Sequence, residues 1–165
     1  MKLFAQGNGP VKRSAGLLMF RVSNRKIMVL LVHPGGPFWR NKDHNSWSIP
    51  KGEYGADETA EAAALREFEE ETGFRPVGAL LPLGEAVQVG GKRVTAFAMA
   101  GEIDAAQIKS VSCEVEWPPR SGHLIEVPEV DRAAWFTLDE ARDKIVKAQS
   151  VFLDRLLQEI LAPRP

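Results

Sequence analysis

Apolar residues fall in short runs along this chain, and the polar positions between them predict alternating strands and helices. Ala15 to Val22 (AGLLMFRV) and Lys26 to His33 (KIMVLLVH) are apolar, strand-favouring runs separated by Ser23-Asn24-Arg25, which predicts a hairpin. Trp47 to Ile49 reads as a short extended piece. Further strands are predicted near Val77 to Val89, Arg93 to Ile103, His123 to Val127 and Arg132 to Phe136. From about Asp57 to Thr72 the chain is rich in Ala, Leu and Glu without Pro or internal Gly, the composition of a helix. Asp57 is its candidate N-cap, Glu58 and Glu61 place negative charge at the positive end of the dipole, and Gly73 supplies a left-handed C-terminal residue. Thr137-Leu-Asp-Glu140 has the form of a capping box opening a helix through about Lys147. Ser150 to Leu161 is amphipathic, with Phe152, Leu153, Leu156, Leu157 and Ile160 at helical spacing as a core face. The alternation predicts a mixed α/β unit, with no repeat and no low-complexity linker.

A length of 165 residues with 44% hydrophobic content suits one sizeable core, so residues 1–165 are expected to form a single domain. The formal charge of −1 gives no electrostatic footprint for nucleic acid, and no apolar run is long enough for a membrane span. MKLFAQGNGPVKRSAG lacks the apolar stretch of a signal peptide, and the single Cys113 cannot form an internal disulfide. Both features suggest a reducing, cytoplasmic location. No nucleophile motif accompanies Cys113.

The candidate chemistry is concentrated in Gly52 to Phe74, GEYGADETAEAAALREFEEETGF. On the expected helix, Glu67, Glu70 and Glu71 are related by i, i+3 and i+4 spacings and share a face. Three carboxylates there repel one another unless something neutralises them, and hard divalent cations with oxygen ligands do so best. Ala60, Ala63 and Ala64, one turn earlier, are expected to leave room for a phosphate chain, with Leu65 and Phe68 turned toward a core. A Glu-rich run is by itself most often a solvated helix face.

The full pattern weighs against that plain interpretation. Gly52, five residues, Glu58, seven residues, Arg66-Glu67, a hydrophobic residue, any residue, Glu70-Glu71, any residue, Gly73 and a hydrophobic residue resembles the Nudix box of the Nudix hydrolase family without a gap. At about 0.07 per fixed residue, chance agreement at a given start is on the order of one in 10⁸. The resemblance covers about residues 14–162. It implies the Nudix fold, a mixed α+β sheet in an α/β/α sandwich with the box helix against the sheet. It implies a divalent cofactor, Mg²⁺ with Mn²⁺ as the alternative, held by Glu67, Glu70, Glu71 and the Gly52 carbonyl. Arg66 is implied as a brace for a box carboxylate, and Glu58 as structural. Trp47-Ser48-Ile49-Pro50-Lys51-Gly52 and Ser14-Ala15-Gly16 resemble members acting on dinucleoside polyphosphates, and Glu129 resembles a functional Glu outside the box in those enzymes.

These residues together suggest metal-assisted phosphoanhydride hydrolysis, with Glu67, Glu71 and Glu129 as candidate general bases and Lys51 as a phosphate contact. His33 to Asn45 has the composition of a loop near a ligand, in which Phe38 or Trp39 is a candidate base-stacking residue and Arg40 or Lys42 a phosphate contact. The alternative for the aromatics is packing within the loop. Tyr54 is a further candidate base contact. Ser112 to Gly122 is either a lid or an ordinary connection. The expected partner is a small nucleotide substrate, with oligomeric state left open. Three functions are compatible: a dinucleoside polyphosphate hydrolase, favoured; a nucleoside triphosphate or nucleotide-sugar pyrophosphatase; and a non-catalytic nucleotide-sensing module. The HPGGPFW segment, Phe68 and Phe74 depart from the pattern of the best-known dinucleoside polyphosphate hydrolases, which bears on substrate more than on fold.

Overall fold

The computed structural model describes residues 11–163. Within them the order is β1 (Arg13–Ser23), β2 (Lys26–Pro34), β3 (Lys51–Glu53), α1 (Ala60–Thr72), β4 (Leu81–Val87), β5 (Arg93–Ala100), β6 (Ser112–Glu116), β7 (Leu124–Pro128), β8 (Val130–Thr137), α2 (Leu138–Lys144) and α3 (Ser150–Leu161). The main sheet runs β4-β5-β1-β2-β8, and β3 joins it by pairing with the first residues of β1. β1 and β5 are parallel and the other pairs antiparallel.

The apolar runs of β1 and β2 are continuous because both faces of the central strands are covered. Side chains alternate across a strand. Leu17 and Met19 of β1 therefore join Leu30 and α1 residues Ala63, Ala64 and Phe68 on one face. Leu18 joins Val29, Leu31 and α3 residues Phe152, Leu153 and Leu156 on the other. This is the mixed α+β sheet between helices, the α/β/α sandwich, that the sequence suggests. The β1–β2 hairpin closes through Asn24 and Arg25, both at positive φ, a backbone pair that matches strand twist.

Several expectations need correction. The N-cap of α1 is Thr59, whose hydroxyl accepts from the Ala62 N–H at 3.1 Å; Asp57 lies in the preceding turn. Ala62 stands where a capping box would have Glu, so the usual signal is missing. Ala63 and Ala64 are fully buried beside Phe68, so their small size serves close packing on the sheet and leaves no clearance for a phosphate chain. The strands expected from Val77 and to Ile103 are shorter, starting at Leu81 and ending at Ala100. Ser112 to Gly122 is neither pure loop nor connection, because β6 pairs with β7 as a separate two-stranded sheet. The helix opened by Thr137 stops at Lys144, and a short 3₁₀ turn over Lys147–Gln149 leads into α3. The first ten residues of the N-terminal stretch lie outside the described residues. Among the described residues no helix is long and apolar enough to cross a membrane.

Candidate active site

β3 is a three-residue strand, and its position decides the rest of the site. Its register sets Gly52 opposite Ala15 of β1, directly beneath α1. A Cβ at residue 52 would overlap the Glu67 carboxylate, so only glycine lets that carboxylate lie against the backbone. Arg66 holds the neighbouring acids. Its Nε and Nη2 donate to the two Glu58 carboxylate oxygens at 2.8 and 2.9 Å, and Nη1 donates to Glu67 at 2.8 Å and to Glu70 at 3.3 Å. The paired Glu58 contact is a fork-to-fork arrangement suited to guanidinium. It lowers the proton affinity of Glu58 and raises that of Arg66, in each case chiefly through this bond. Glu58 is thus the counter-anion that aims Arg66 at the box carboxylates.

Glu71 lies a helical step further round and lines a cleft of about 310 Å³ with Lys51, Glu129 and Trp39. The Lys51 N–H donates to Glu71 Oε2 at 3.2 Å. Burial, and then the Glu67 charge, push the Glu71 carboxyl up to about 8 despite the nearby Lys51 ammonium. Glu67 is raised by burial and by Glu70 against the pull of Arg66, and Glu129 is raised by burial and by Glu70. The Lys51 ammonium is pushed down, first by burial and then by Lys92. Adjacent carboxyls that hold protons too tightly mark a site short of positive charge.

The structure brings Lys51, Glu71, Glu129 and Trp39 together around one cleft, with Gly52, Glu67 and Arg66 beside it. Glu70 opens instead on a neighbouring groove with Arg66, Lys109 and Glu126. Arg40 is exposed and Tyr54 packs against the core cluster under α1, so neither lines the cleft. Phe38 is 54% exposed with the Lys42 ammonium over its ring, leaving Trp39 as the cleft aromatic of that loop. Three polar lining residues escaped sequence reasoning, Ser46, Gln88 and Gln149, and Ser48 entered it only as part of the stretch leading to Lys51. Gln149 is fully buried; its Oε1 accepts from the Ile49 N–H at 3.0 Å and its Nε2 donates to Ser48 Oγ at 3.0 Å. It thereby fixes the segment that delivers Lys51 and Gly52. Gln149 precedes the apolar stripe of α3, and nothing in local pattern links it to a segment about 100 residues away.

A family model described as NUDIX domain matches residues 10–156. No curated protein matched the chain. Among solved structures, an Ap4A hydrolase binary complex from C. elegans aligns at TM-score 0.63 and 21% identity, covering 91% of this chain and 98% of that one. The NUDIX domain of Shewanella oneidensis NrtR, complexed with ADP ribose, aligns at 0.63 and 16%, covering 91% and 88%. The MutT protein of Methanosarcina mazei Go1 aligns at 0.60 and 20%, covering 94% and 99%.

Proposed function

We propose, from the premise that this chain belongs to the NUDIX family of hydrolases acting on nucleotide-linked compounds, that it cleaves a phosphoanhydride bond of a nucleoside diphosphate-linked substrate. Dinucleoside polyphosphates such as diadenosine tetraphosphate are the favoured substrates, and a cytoplasmic location is proposed with them. The observation that carries the proposal is the cleft in which Lys51, Glu71, Glu129 and Trp39 meet beside the Gly52–Glu67 contact.

The residues fit a hard divalent cation, Mg²⁺ or Mn²⁺. The donor set is all oxygen, Glu67 and Glu71 are short of positive charge, and a side chain at residue 52 would fill the approach to its backbone. Among the described residues no three acidic, His or Cys groups stand together as a closed metal-binding set. Glu67 and Glu70, both held by Arg66, would ligate together with Glu71. When bound, such an ion neutralises phosphate oxygens and acidifies a water.

The chain's own residues supply the rest. Glu67, Glu71 and Glu129 are the candidate acceptors of the water proton, each holding a proton more tightly than an ordinary carboxylate chiefly because of burial. Lys51 meets phosphate charge, Trp39 offers a face for base stacking, and Arg66 keeps Glu67 and Glu70 in place.

A pH prediction follows from the raised carboxyls. A group whose folded proton affinity exceeds its unfolded value adds stability below the unfolded pKa, here 4.5 for Glu71, and loses that contribution as pH rises through about 8. The metal-free protein is therefore expected to lose melting temperature across this window, and Mg²⁺ to restore it more at the alkaline end than at the acid end. Melts in chelator and in Mg²⁺ over that range check this; equal metal stabilisation at both ends would count against the carboxylate site.

The functional test is product analysis with Mg²⁺ and a panel of diadenosine polyphosphates, nucleoside triphosphates and nucleotide sugars, using Glu70→Gln as control. Asymmetric cleavage of diadenosine tetraphosphate to ATP and AMP, lost in the variant, is expected. Nucleotide binding without turnover of any compound would replace the proposal with a sensing module.

A further inference from the structure

One buried histidine ties the loop carrying Trp39 to the strand beyond Glu129. His33, near the end of β2, is fully buried. Its Nδ1 lies 3.0 Å from Asp131 Oδ1 and its Nε2 2.5 Å from the Lys42 carbonyl oxygen. A carbonyl only accepts, and so does an ionised carboxylate. The imidazole therefore stands between the two oxygens, and its tautomer decides which of them receives the N–H.

The strand register explains why Asp131 is available. β2 pairs with β8 as His33↔Arg132 and then Pro34↔Val130, leaving Asp131 as the extra residue of a bulge. A bulge re-aims a side chain, and here it aims Asp131 at His33. On the loop side, the Lys42 N–H donates to the Trp39 carbonyl at 2.9 Å, and the Gly35 N–H donates to the Glu129 carbonyl at 3.0 Å. A run of hydrogen bonds therefore links Trp39 through Lys42 and His33 to Asp131, and both Trp39 and Glu129 line the cleft.

Other charged groups stand around the ring. The Arg132 guanidinium lies 3.9 Å from Asp131 Oδ1, the oxygen that His33 faces, and 5.2 Å over the Trp47 ring, and Trp47 itself meets His33 edge-on at 5.1 Å. Asp43 accepts from Trp47 Nε1 and pairs with Lys144, while the Lys42 ammonium sits over Phe38.

We infer that His33 is a positioning residue that clamps the Trp39 loop onto the start of β8, next to Glu129. The inference rests on the cleft being the substrate site. The clamp sets the spacing of the two cleft walls and so acts on substrate binding more than on bond cleavage.

In 5-fluorotryptophan-labelled protein, His33→Gln and Asp131→Asn should each shift the Trp39 resonance, assigned with Trp39→Phe, and leave that of Trp117 in place. With the best substrate of the panel, each should raise KM by roughly tenfold with kcat within about threefold, and the double variant should be no worse than the poorer single. An unmoved Trp39 resonance with unchanged KM would remove His33 from any positioning role. If His33→Gln does not fold, Asp131→Asn, at a partly exposed position, decides the same question. If the wild type hydrolyses nothing, the hydrolase proposal fails alone, and the fluorine signals still decide the clamp.

Discussion

Replacing Glu71 with Gln is expected to lower kcat/KM by roughly 10³-fold while raising the melting temperature of the metal-free protein near pH 8. The two effects have one cause. The Glu71 carboxyl is set between Lys51, Glu67 and Glu129 in a poorly solvated cleft, and burial plus the Glu67 charge push its pKa up to about 8. Ionising it there opposes folding, and a metal ion together with substrate would turn that cost into binding. Gln keeps the shape and still accepts from the Lys51 N–H, which now meets Glu71 Oε2 at 3.2 Å, so the fold loses little. It cannot ligate as an anion or accept a proton. For a chain of this length each kcal/mol regained appears as about 2–4 °C. Glu159→Gln, exposed on α3, should change neither quantity. Activity within about tenfold of wild type would sink the site assignment, and lost activity without a gain in melting temperature would show that the carboxyl is not strained where it sits.

Much of this arrangement was legible because its signals are local. The β1–β2 hairpin, α1 with its Gly73 terminus at φ 79° and the core stripe of α3 depend on neighbours within a turn or a short run of sequence. The box motif worked for the same reason, since Glu58, Arg66, Glu67 and Glu70 are close in the chain and meet through one guanidinium. What the sequence did not reveal depends on distant pairing. Gln149 reaches Ser48 and Ile49 because α3 packs on the sheet face of Leu18, Val29 and Leu31, and β6 found a partner in β7 although its segment read as a lid or a connection. Ala63 and Ala64 misled because a small residue serves tight packing and open space equally well, and burial alone separates the two. Tyr54 misled by adjacency: the residue after β3 turns to the core under α1, while Trp39, far off in sequence, is folded onto the cleft by its loop.

Gly52→Ala is expected to fold and yet lose about 10²-fold in kcat/KM, with metal affinity weakened roughly 10–100-fold. Gly52 is not in the left-handed region, so its backbone accepts a Cβ, and loss of glycine's freedom in the unfolded chain favours folding by about 0.4–1 kcal/mol. The added methyl must displace something, and what it meets is the Glu67 carboxylate rather than backbone. The end of a side chain moves more easily than a strand paired to β1, so Glu67 gives way and its 2.8 Å contact with Arg66 is disturbed. A stability near wild type with weakened metal response is therefore the signature sought, read by thermal melts with Mg²⁺ titration beside kinetics. Gly55→Ala, whose Cβ would stand 3.1 Å from the exposed Asp57 carboxylate, is the matched control and should stay near wild type. Shortening the displaced acid tests the direction of the clash: Gly52→Ala with Glu67→Asp should recover part of the lost affinity, because a carboxylate drawn back by one methylene clears the new methyl. Full activity in Gly52→Ala would mean that Glu67 is free to lie elsewhere during turnover, and its place among the metal ligands would fall with that result.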